Sequence, residues 1–373
     1  MQAAIPTAGT ATPFLLNLMK NHQSRFPACL IKIPTDASLK GTAGEARPDW
    51  LREGRRRAAF YLAAEEYVAA HLPADNYLFS WVLPPTVVFG RNQVPQQELN
   101  IDFCRTHGID MIRRKSGGGC IYADTGNIMW SLVTSEGAVE PIFADYADSV
   151  AGALTAMGIA ANVSGRNDIT LADGGKVCGN AFYHLAHSNI AHGTMLYDTN
   201  AANMVGALHP ATAKLEAKGV KSVRSRISLI KDVRPIGVEA LRKGLEDILT
   251  DRHITLGPAD VAAIMDIEAG YYDDAYLWGR HDRDALVIDT GRIEGCGHLQ
   301  LHLATGDGVV EGITLTGDFF ATGNAAEAFA KTFVGLPATA ETFCSAIDAH
   351  HPETTIRSLS AQRLKDCLRQ SLK

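Results

Sequence analysis

Met111-Ile112-Arg113-Arg114-Lys115-Ser116-Gly117-Gly118-Gly119-Cys120-Ile121-Tyr122 is the stretch on which the reading of the fold turns. Met111 and Ile112 predict a short strand leading into a glycine loop. Successive glycines let backbone N–H groups approach an anion or a thin ligand with no Cβ in the way. Ser116 adds a hydroxyl, and Arg113, Arg114 and Lys115 add positive charge. Arginine grips a phosphate or a carboxylate bidentately. The loop lacks the GxxxxGK[ST] pattern of a P-loop, and no GxGxxG follows a strand, so neither a P-loop nor a Rossmann frame is indicated. A glycine run alone also suits a surface turn beside solvated bases, and at this point both readings stand.

Working outward, Asn127 to Thr134 predicts the next strand, and Ile142 to Met157 an amphipathic helix with Phe143, Ala147, Val150, Leu154 and Met157 on one stripe. Upstream, Tyr77 to Leu83 and Thr86 to Phe89 read as strands stopped by Pro84-Pro85 and Gly90. Ala58 to His71 reads as a helix with Phe60, Ala64, Tyr67 and Val68 on one face, and Cys29 to Pro34 as a strand. Thr35 to Gly54 reads as a surface loop. Downstream, Val163 to Leu171 and Lys176 to Tyr183 predict a hairpin around Ala172-Asp173-Gly174-Gly175, and Val238, Leu241, Leu245 and Ile248 mark a helix. Strand pairs interrupted by helices are not the regular alternation of a doubly wound fold. The expected class is α+β: a mixed β-sheet flanked by helices, followed by a small C-terminal α+β domain.

The composition turns polar and aromatic from Gly270 to Asp284, which places a boundary there. The expected units are a catalytic domain over 1–278 and an accessory domain over 279–373. In the second, His298-Leu299-Gln300-Leu301-His302-Leu303 alternates strictly, Val309 to Leu315 is another strand, and Leu364, Leu368 and Leu372 mark a last helix. Residues 1–27 are read as a disordered or loosely packed extension. A transit peptide competes, but arginine is sparse and Met1 to Pro13 carries no charge.

The 373 residues are 46% hydrophobic and 20% charged, with a net charge of -6, which is globular composition with enough chain for a sizeable core. This balance argues against nucleic acid and anionic membranes as partners, and no apolar run approaches the ~20 residues of a membrane span. Seven scattered cysteines without a CxxC pair argue against a disulfide framework and point to a reducing, cytoplasmic setting.

Two further stretches carry candidate chemistry. In Gly165-Arg166-Asn167-Asp168 the last two residues offer oxygens suited to Mg2+. Lys176 follows, in Lys176-Val177-Cys178-Gly179-Asn180-Ala181, at a strand start beside small residues where a ligand could come close. A lysine there could hold a carboxylate attacking an α-phosphate and offset charge in the transition state, although most lysines are simply solvated. Lys214 to Arg226 holds five bases in thirteen residues, a local basic patch on an acidic chain. It suits a flap over a nucleotide, an acidic partner, or a solvated loop. His184, His187 and His192 lie close together, but His184 and His187 would face opposite ways on a strand, which disfavours a metal site. Cys120 and Cys178 sit inside the two key motifs as candidate nucleophiles or as small packing residues.

Taken in order, these stretches resemble the lipoate–protein ligase A family. Arg113 to Asn127 is similar to its RRxSGGGxVYHDxGN, Gly165 to Asp168 to its GRND, and Lys176 to Ala181 to its K-(V/I)-S-G-x-A. His192-Gly193-Thr194-Met195-Leu196 resembles its HGTLL, and Lys218 to Ile227 its KGI-x-SVRSRV. Phe89 to Gln93 and Ala63 to Tyr67 match its earlier segments, so the likeness covers roughly residues 60 to 278. A match of several motifs in order is more specific than any one of them.

The resemblance implies an enzyme that joins lipoate and MgATP into lipoyl-adenylate. The lipoyl group then passes to a lysine on an apo lipoyl domain of a 2-oxoacid dehydrogenase complex or on a glycine-cleavage H-type protein. It assigns Lys176 to catalysis, in contact with both the lipoate carboxyl and the α-phosphate. It assigns Arg114, Ser116, Gly117, Gly118, Gly119, Cys120, Ile121, Tyr122, Asn167, Gly193, Thr194, Lys218 and Arg224 to ATP or the adenylate, and Asp168 to Mg2+. Lys218 to Arg226 would order over the adenylate. The chain departs from the family at Cys120 for alanine, Ala123 for the His of YHD, and Cys178 for serine. These departures keep a second activity in view, an ATP-independent transfer of octanoyl or lipoyl through a cysteine thioester.

Overall fold

A computed structural model describes residues 28–34, 56–135, 139–164, 168–185, 187–208, 227–279 and 286–372. The N-terminal extension, the loop 35–54, the segment 165–167 and the whole basic stretch 214–226 lie outside the described residues. Asn167, Lys218 and Arg224 are among these.

The strands in chain order are β1 (Ala28–Lys32), β2 (Tyr77–Trp81), β3 (Thr86–Phe89), β4 (Asp110–Arg113), β5 (Ile121–Ala123), β6 (Asn127–Ser135) and β7 (Ala161–Ser164). They continue with β8 (Asp168–Leu171), β9 (Lys176–Leu185), β10 (Ser188–Leu196), β11 (Thr250–Thr255), β12 (Leu286–Ile293), β13 (Gly297–Gly306) and β14 (Val309–Gly317). The main sheet has the order β11-β1-β2-β6-β10-β9-β8-β7. It is mixed: β1 runs parallel to β2 and β11, and β2, β6, β10, β9, β8 and β7 pair antiparallel.

Strand β6 explains why the sheet is covered on both faces. Its side chains alternate, as any strand's must. Ile128, Trp130 and Leu132 enter a core with the helices Val139–Ala156 and Val238–Leu249, through Phe143, Val150, Leu154, Leu241 and Leu245. Met129 and Val133 enter the opposite core with the helices Ala58–His71 and Pro258–Ala269, through Phe60, Leu62, Val68, Val261 and Ile264. Helix Ala58–His71 is buried beyond the single face expected of it, with Ala59, Leu62 and Ala63 inside as well. The second helix and Tyr271 pack on its outer side, and the Tyr67 hydroxyl donates to Asp260 at 2.5 Å.

One expectation needs correcting, and one strand was not foreseen. Val163 to Leu171 is not one strand: Ser164 pairs with Asp168 and Ala161 with Leu171, so β7 and β8 form their own hairpin. Strand β11 reads Thr-Asp-Arg-His-Ile-Thr, is almost wholly exposed, and shows no alternation that would reveal it. Its place is fixed by parallel pairing with β1.

A three-stranded sheet, β4-β3-β5, stands beside the main one. β4 runs parallel to β3, and β5 antiparallel on the other side, with Arg113 opposite Phe89 and Ile121 opposite Val88. The glycine loop therefore has to cross the end of β3, and the Arg114 N–H donates to Phe89 O at 2.9 Å. The C-terminal part packs β12, β13 and β14 as an antiparallel sheet with helices Ala325–Phe333, Ala340–His350 and Ala361–Ser371. Its core, including Leu299, Leu301, Leu303, Phe329 and Leu364, is separate from the two above. The His298–Leu303 alternation is realised, with the leucines inside and the polar residues half-buried. Among the described residues no helix is long and apolar enough to cross a membrane.

Candidate active site

A cavity of about 460 Å3 opens where the glycine loop, strands β8 to β10 and the C-terminal domain meet. Arg114, Gly118, Gly119, Cys120 and Ile121 form one wall. Asp168, Lys176, Gly179, Asn180, Gly193 and Thr194 form the facing wall, and Leu62, Trp81, Val88 and Met129 supply an apolar end.

The glycine loop is held by its bases. Arg113 turns away from the cavity: its Nη1 donates to the carbonyls of Arg91 (2.7 Å) and Gln93 (2.8 Å), and its Nε to Leu277 O (3.1 Å). Lys115 ion-pairs with Glu66 at 2.5 Å, and Glu66 also accepts from the Tyr271 hydroxyl. Arg114 folds back under the loop. Its Nη2 donates to Gly117 O (2.7 Å) and Gly119 O (2.8 Å), its Nη1 to Val88 O (3.1 Å), and its Nε to Ser116 Oγ (2.9 Å). Burial pushes this guanidinium down to about 10, which leaves it charged at neutral pH. Gly118 has φ +86°, and a Cβ on it would stand 2.9 Å from the Phe320 ring.

On the facing wall β8 and β9 place Asp168 opposite Gly179, and Lys176 extends along the same edge. Lys176 Nζ is 2.7 Å from Asp168 Oδ1, with both side chains about a third exposed to the cavity side (36% and 34%). The lysine lies across Gly179, where a Cβ would come within 2.7 Å of Nζ. The small residue is what lets a cation sit flat on the strand. Cys178, next along β9, points into the core. Its thiol is pushed up to about 12 by burial, with Lys176 opposing the shift. Cys120 is half-buried on the cavity wall with Sγ 3.2 Å from Gln93 Oε1.

The structure thus brings Arg114, Gly118, Gly119, Cys120, Ile121, Asp168, Lys176, Gly193 and Thr194 to one cavity. It does not bring Ser116, Gly117 or Tyr122 to its wall. Ser116 is fully buried behind the loop. A Cβ on Gly117 would lie 2.3 Å from Phe319 O. Tyr122 follows Ile121 on β5 and faces the opposite side, in a core with Val87, Phe89 and Leu99, where its hydroxyl accepts from Asn203. Burial pushes that hydroxyl up.

Sequence reasoning missed part of the enclosure. His192 was weighed as a metal ligand and matched to the HGTLL segment without a role of its own, and in fact lines the cavity. Arg292, Glu294, Gly295, Gly297, Asp318 and Phe320 arrive from the C-terminal domain, where the glycines at 291, 295 and 297 were the available signal of a tight turn. The domain is tied to the loop by Gly118 N–H donating to Phe319 O (3.2 Å) and Gly317 N–H to Asn92 O (2.8 Å). Among the described residues no group of three His, Cys, Asp or Glu could hold a metal by itself. A lone carboxylate such as Asp168 fits Mg2+ only as part of a shell completed by phosphate oxygens and waters.

Comparison with known proteins agrees with this geometry. The family model described as the lipoyl protein ligase A/B catalytic domain matches residues 57–249, and that of the bacterial lipoate protein ligase C-terminus matches residues 288–368. Lipoate-protein ligase LplJ of Bacillus subtilis (strain 168) is 32% identical over 277 residues, covering 71% of this chain and 83% of that protein. Lipoate–protein ligase 1 of Staphylococcus aureus is 35% identical over 186 residues, 49% of this chain and 56% of that one. Among solved structures, Plasmodium falciparum LipL1 in complex with lipoate superposes with a TM-score of 0.68 at 17% identity, over 92% of this chain and 98% of that one. A lipoate-protein ligase A bound with ATP gives 0.54 at 19% identity, over 68% and 99%. At these identities the structures support the fold alone. The catalytic-domain match spans more than half of the chain, and the chain belongs to the lipoyl protein ligase A/B family.

Proposed function

We propose that this enzyme activates lipoate with MgATP and transfers the lipoyl group to a lysine of a lipoyl carrier domain. The observation that carries the reading is Lys176, whose ammonium stands beside Asp168 on one wall of a cavity closed by the Gly118–Cys120 loop on the other. In the first step a lipoate carboxylate oxygen bonds to the α-phosphorus, the bond to the bridging oxygen breaks, and pyrophosphate leaves. Negative charge is then concentrated between acid and phosphate, where a fixed ammonium is worth most. Lys176 reaches both groups. Arg114 keeps two loop carbonyls turned onto its guanidinium and away from the incoming anion. Asp168 would hold Mg2+, which when bound neutralises charge on the phosphates. The apolar end formed by Leu62, Trp81, Val88 and Met129 receives the acyl chain. In the second step the carrier lysine amine attacks the acyl carbonyl, loses a proton, and AMP departs. Enclosure by the C-terminal domain keeps the reactive adenylate from water.

The carriers of this reading are lipoyl domains of 2-oxoacid dehydrogenase complexes or an H-type protein. The thioester alternative rests on Cys120, because the buried Cys178 thiol stays protonated at neutral pH.

ATP–pyrophosphate exchange across lipoate, octanoate and biotin tests mechanism and substrate together. Exchange dependent on lipoate is expected, and its abolition by EDTA. The absence of exchange with all three acids would sink the reading, and transfer that survives without ATP but not in Cys120→Ala would establish the alternative.

A further inference from the structure

Glu65, His192 and Ser116 form a buried line that runs from behind the glycine loop past the cavity wall, which only His192 reaches, and the acid-activating steps do not use it. Glu65 and Ser116 are fully buried and His192 is 7% exposed. A carboxylate without solvent must be met by donors. Glu65 receives the Ser131 hydroxyl at 2.6 Å and His192 Nδ1 at 2.9 Å. His192 Nε2 is 2.7 Å from Ser116 Oγ, and Arg114 Nε is 2.9 Å from the same oxygen.

The directions follow from what each group is able to do. Arginine only donates, so Ser116 Oγ accepts from Arg114. A carboxylate only accepts, so the proton lies on His192 Nδ1. In the neutral ring Nε2 is then an acceptor, and Ser116 donates to it. Every proton has one place in a single sense, from Arg114 through Ser116 and His192 to Glu65.

We propose that Glu65, His192 and Ser116 are positioning residues for Arg114. They fix its Nε bond, and the remaining guanidinium N–H groups then hold the carbonyls of Val88, Gly117 and Gly119. The shape of the anion-facing loop is thereby tied back to Glu65 on the helix Ala58–His71. The inference rests on the nucleotide reading of the cavity for its kinetic consequence, but its hydrogen-bond directions do not. The same three residue types make a nucleophilic triad in other folds. Here Ser116 Oγ is off the cavity wall and accepts from a guanidinium, which draws electron density from it, so it is a strut.

Two measurements on the full-length protein decide the matter. Long-range 1H–15N correlation of the histidine side chains at neutral pH should show His192 protonated at Nδ1 and bare at Nε2. A ring protonated at Nε2, alone or together with Nδ1, overturns the relay whatever the enzyme's activity. In pyrophosphate exchange, Ser116→Ala and His192→Asn remove the link to Arg114 and should raise KM for ATP about tenfold, with KM for lipoate changed less than about twofold. His192→Gln keeps an amide acceptor at the Nε2 position and should recover most of that loss at a similar melting temperature. Equal loss in the Gln and Asn variants, or covalent labelling of Ser116 by a fluorophosphonate, would refute the positioning role. A wild-type protein that shows the expected tautomer but no lipoate-dependent exchange would leave the relay standing and remove the proposed function.

Discussion

Lys176 is bound to one carboxylate, and that pairing shapes what its removal should do. The Lys176–Asp168 pair is partly exposed, so its contribution to stability is small, about 0–1 kcal/mol. Lys176→Ala should therefore melt within a degree or two of the wild type while pyrophosphate exchange falls roughly 100- to 1000-fold, the usual cost of losing one fixed transition-state charge. The two cysteines in the motifs should separate by chemistry. With its thiol pushed up to about 12, Cys178 is protonated throughout the neutral range, whereas Cys120 faces the cavity. Iodoacetamide at neutral pH should modify Cys120 and spare Cys178, as read by peptide mass mapping. Reaction at Cys178 first would contradict the burial described. At this scale Lys176, Asp168 and Arg114 were singled out by motifs occurring in order, since charge beside glycine alone equally suits a solvated turn, and the structure brings the three to one cavity. Tyr122 was not placed correctly, because its neighbour Ile121 takes the cavity face and successive strand residues alternate.

At the scale of the element, the glycine loop is a crossover between two strands that flank β3, and its curvature is imposed from both ends. Gly118→Ala would place an L residue at φ +86° at a cost of about 1–2 kcal/mol and push on the Phe320 ring. A lowered melting temperature and weaker ATP binding are expected together. Gly179→Ala acts differently, since the added methyl occupies the bed on which Lys176 lies. Its expected signature is a fall in kcat with little change in melting temperature, measured by exchange kinetics and calorimetry. The elements themselves announced their presence where burial on both faces left an apolar run, as in β6, or burial of one face imposed a period, as in β13. Strand β11 announced nothing, because an exposed polar edge is specified by its partner β1 and not by its own side chains. The β7–β8 turn was missed for a related reason: Val163 is exposed on an edge strand and carries no inward pattern.

For the whole molecule the instructive pair is Phe319 and Phe320. Phe319 belongs to the C-terminal core, while Phe320 is buried in the core of the large sheet and stacks on Phe182 at 5.4 Å between ring centroids. Phe320→Ala should cost about 3–5 kcal/mol of docking and core packing. A single calorimetric unfolding transition should then split into two as the C-terminal part loses its hold. Retention of one sharp transition would show that the two cores are coupled elsewhere. Local patterns indicated a second domain in the sequence, but not that it completes the cavity, since that depends on contacts between residues some 200 positions apart, such as Gly118 and Phe319.

The hydrogen bond from Gly118 to Phe319 joins the loop that faces the ligand to the peptide that joins two cores. A coupling of this kind is reciprocal: whatever free energy docking lends to the loop, a ligand on the loop must return to docking. Substitutions deep in the C-terminal domain, with no atom near the cavity, are thus able to alter affinity. A saturating ligand should in turn slow amide exchange in β14, none of whose residues lines the cavity.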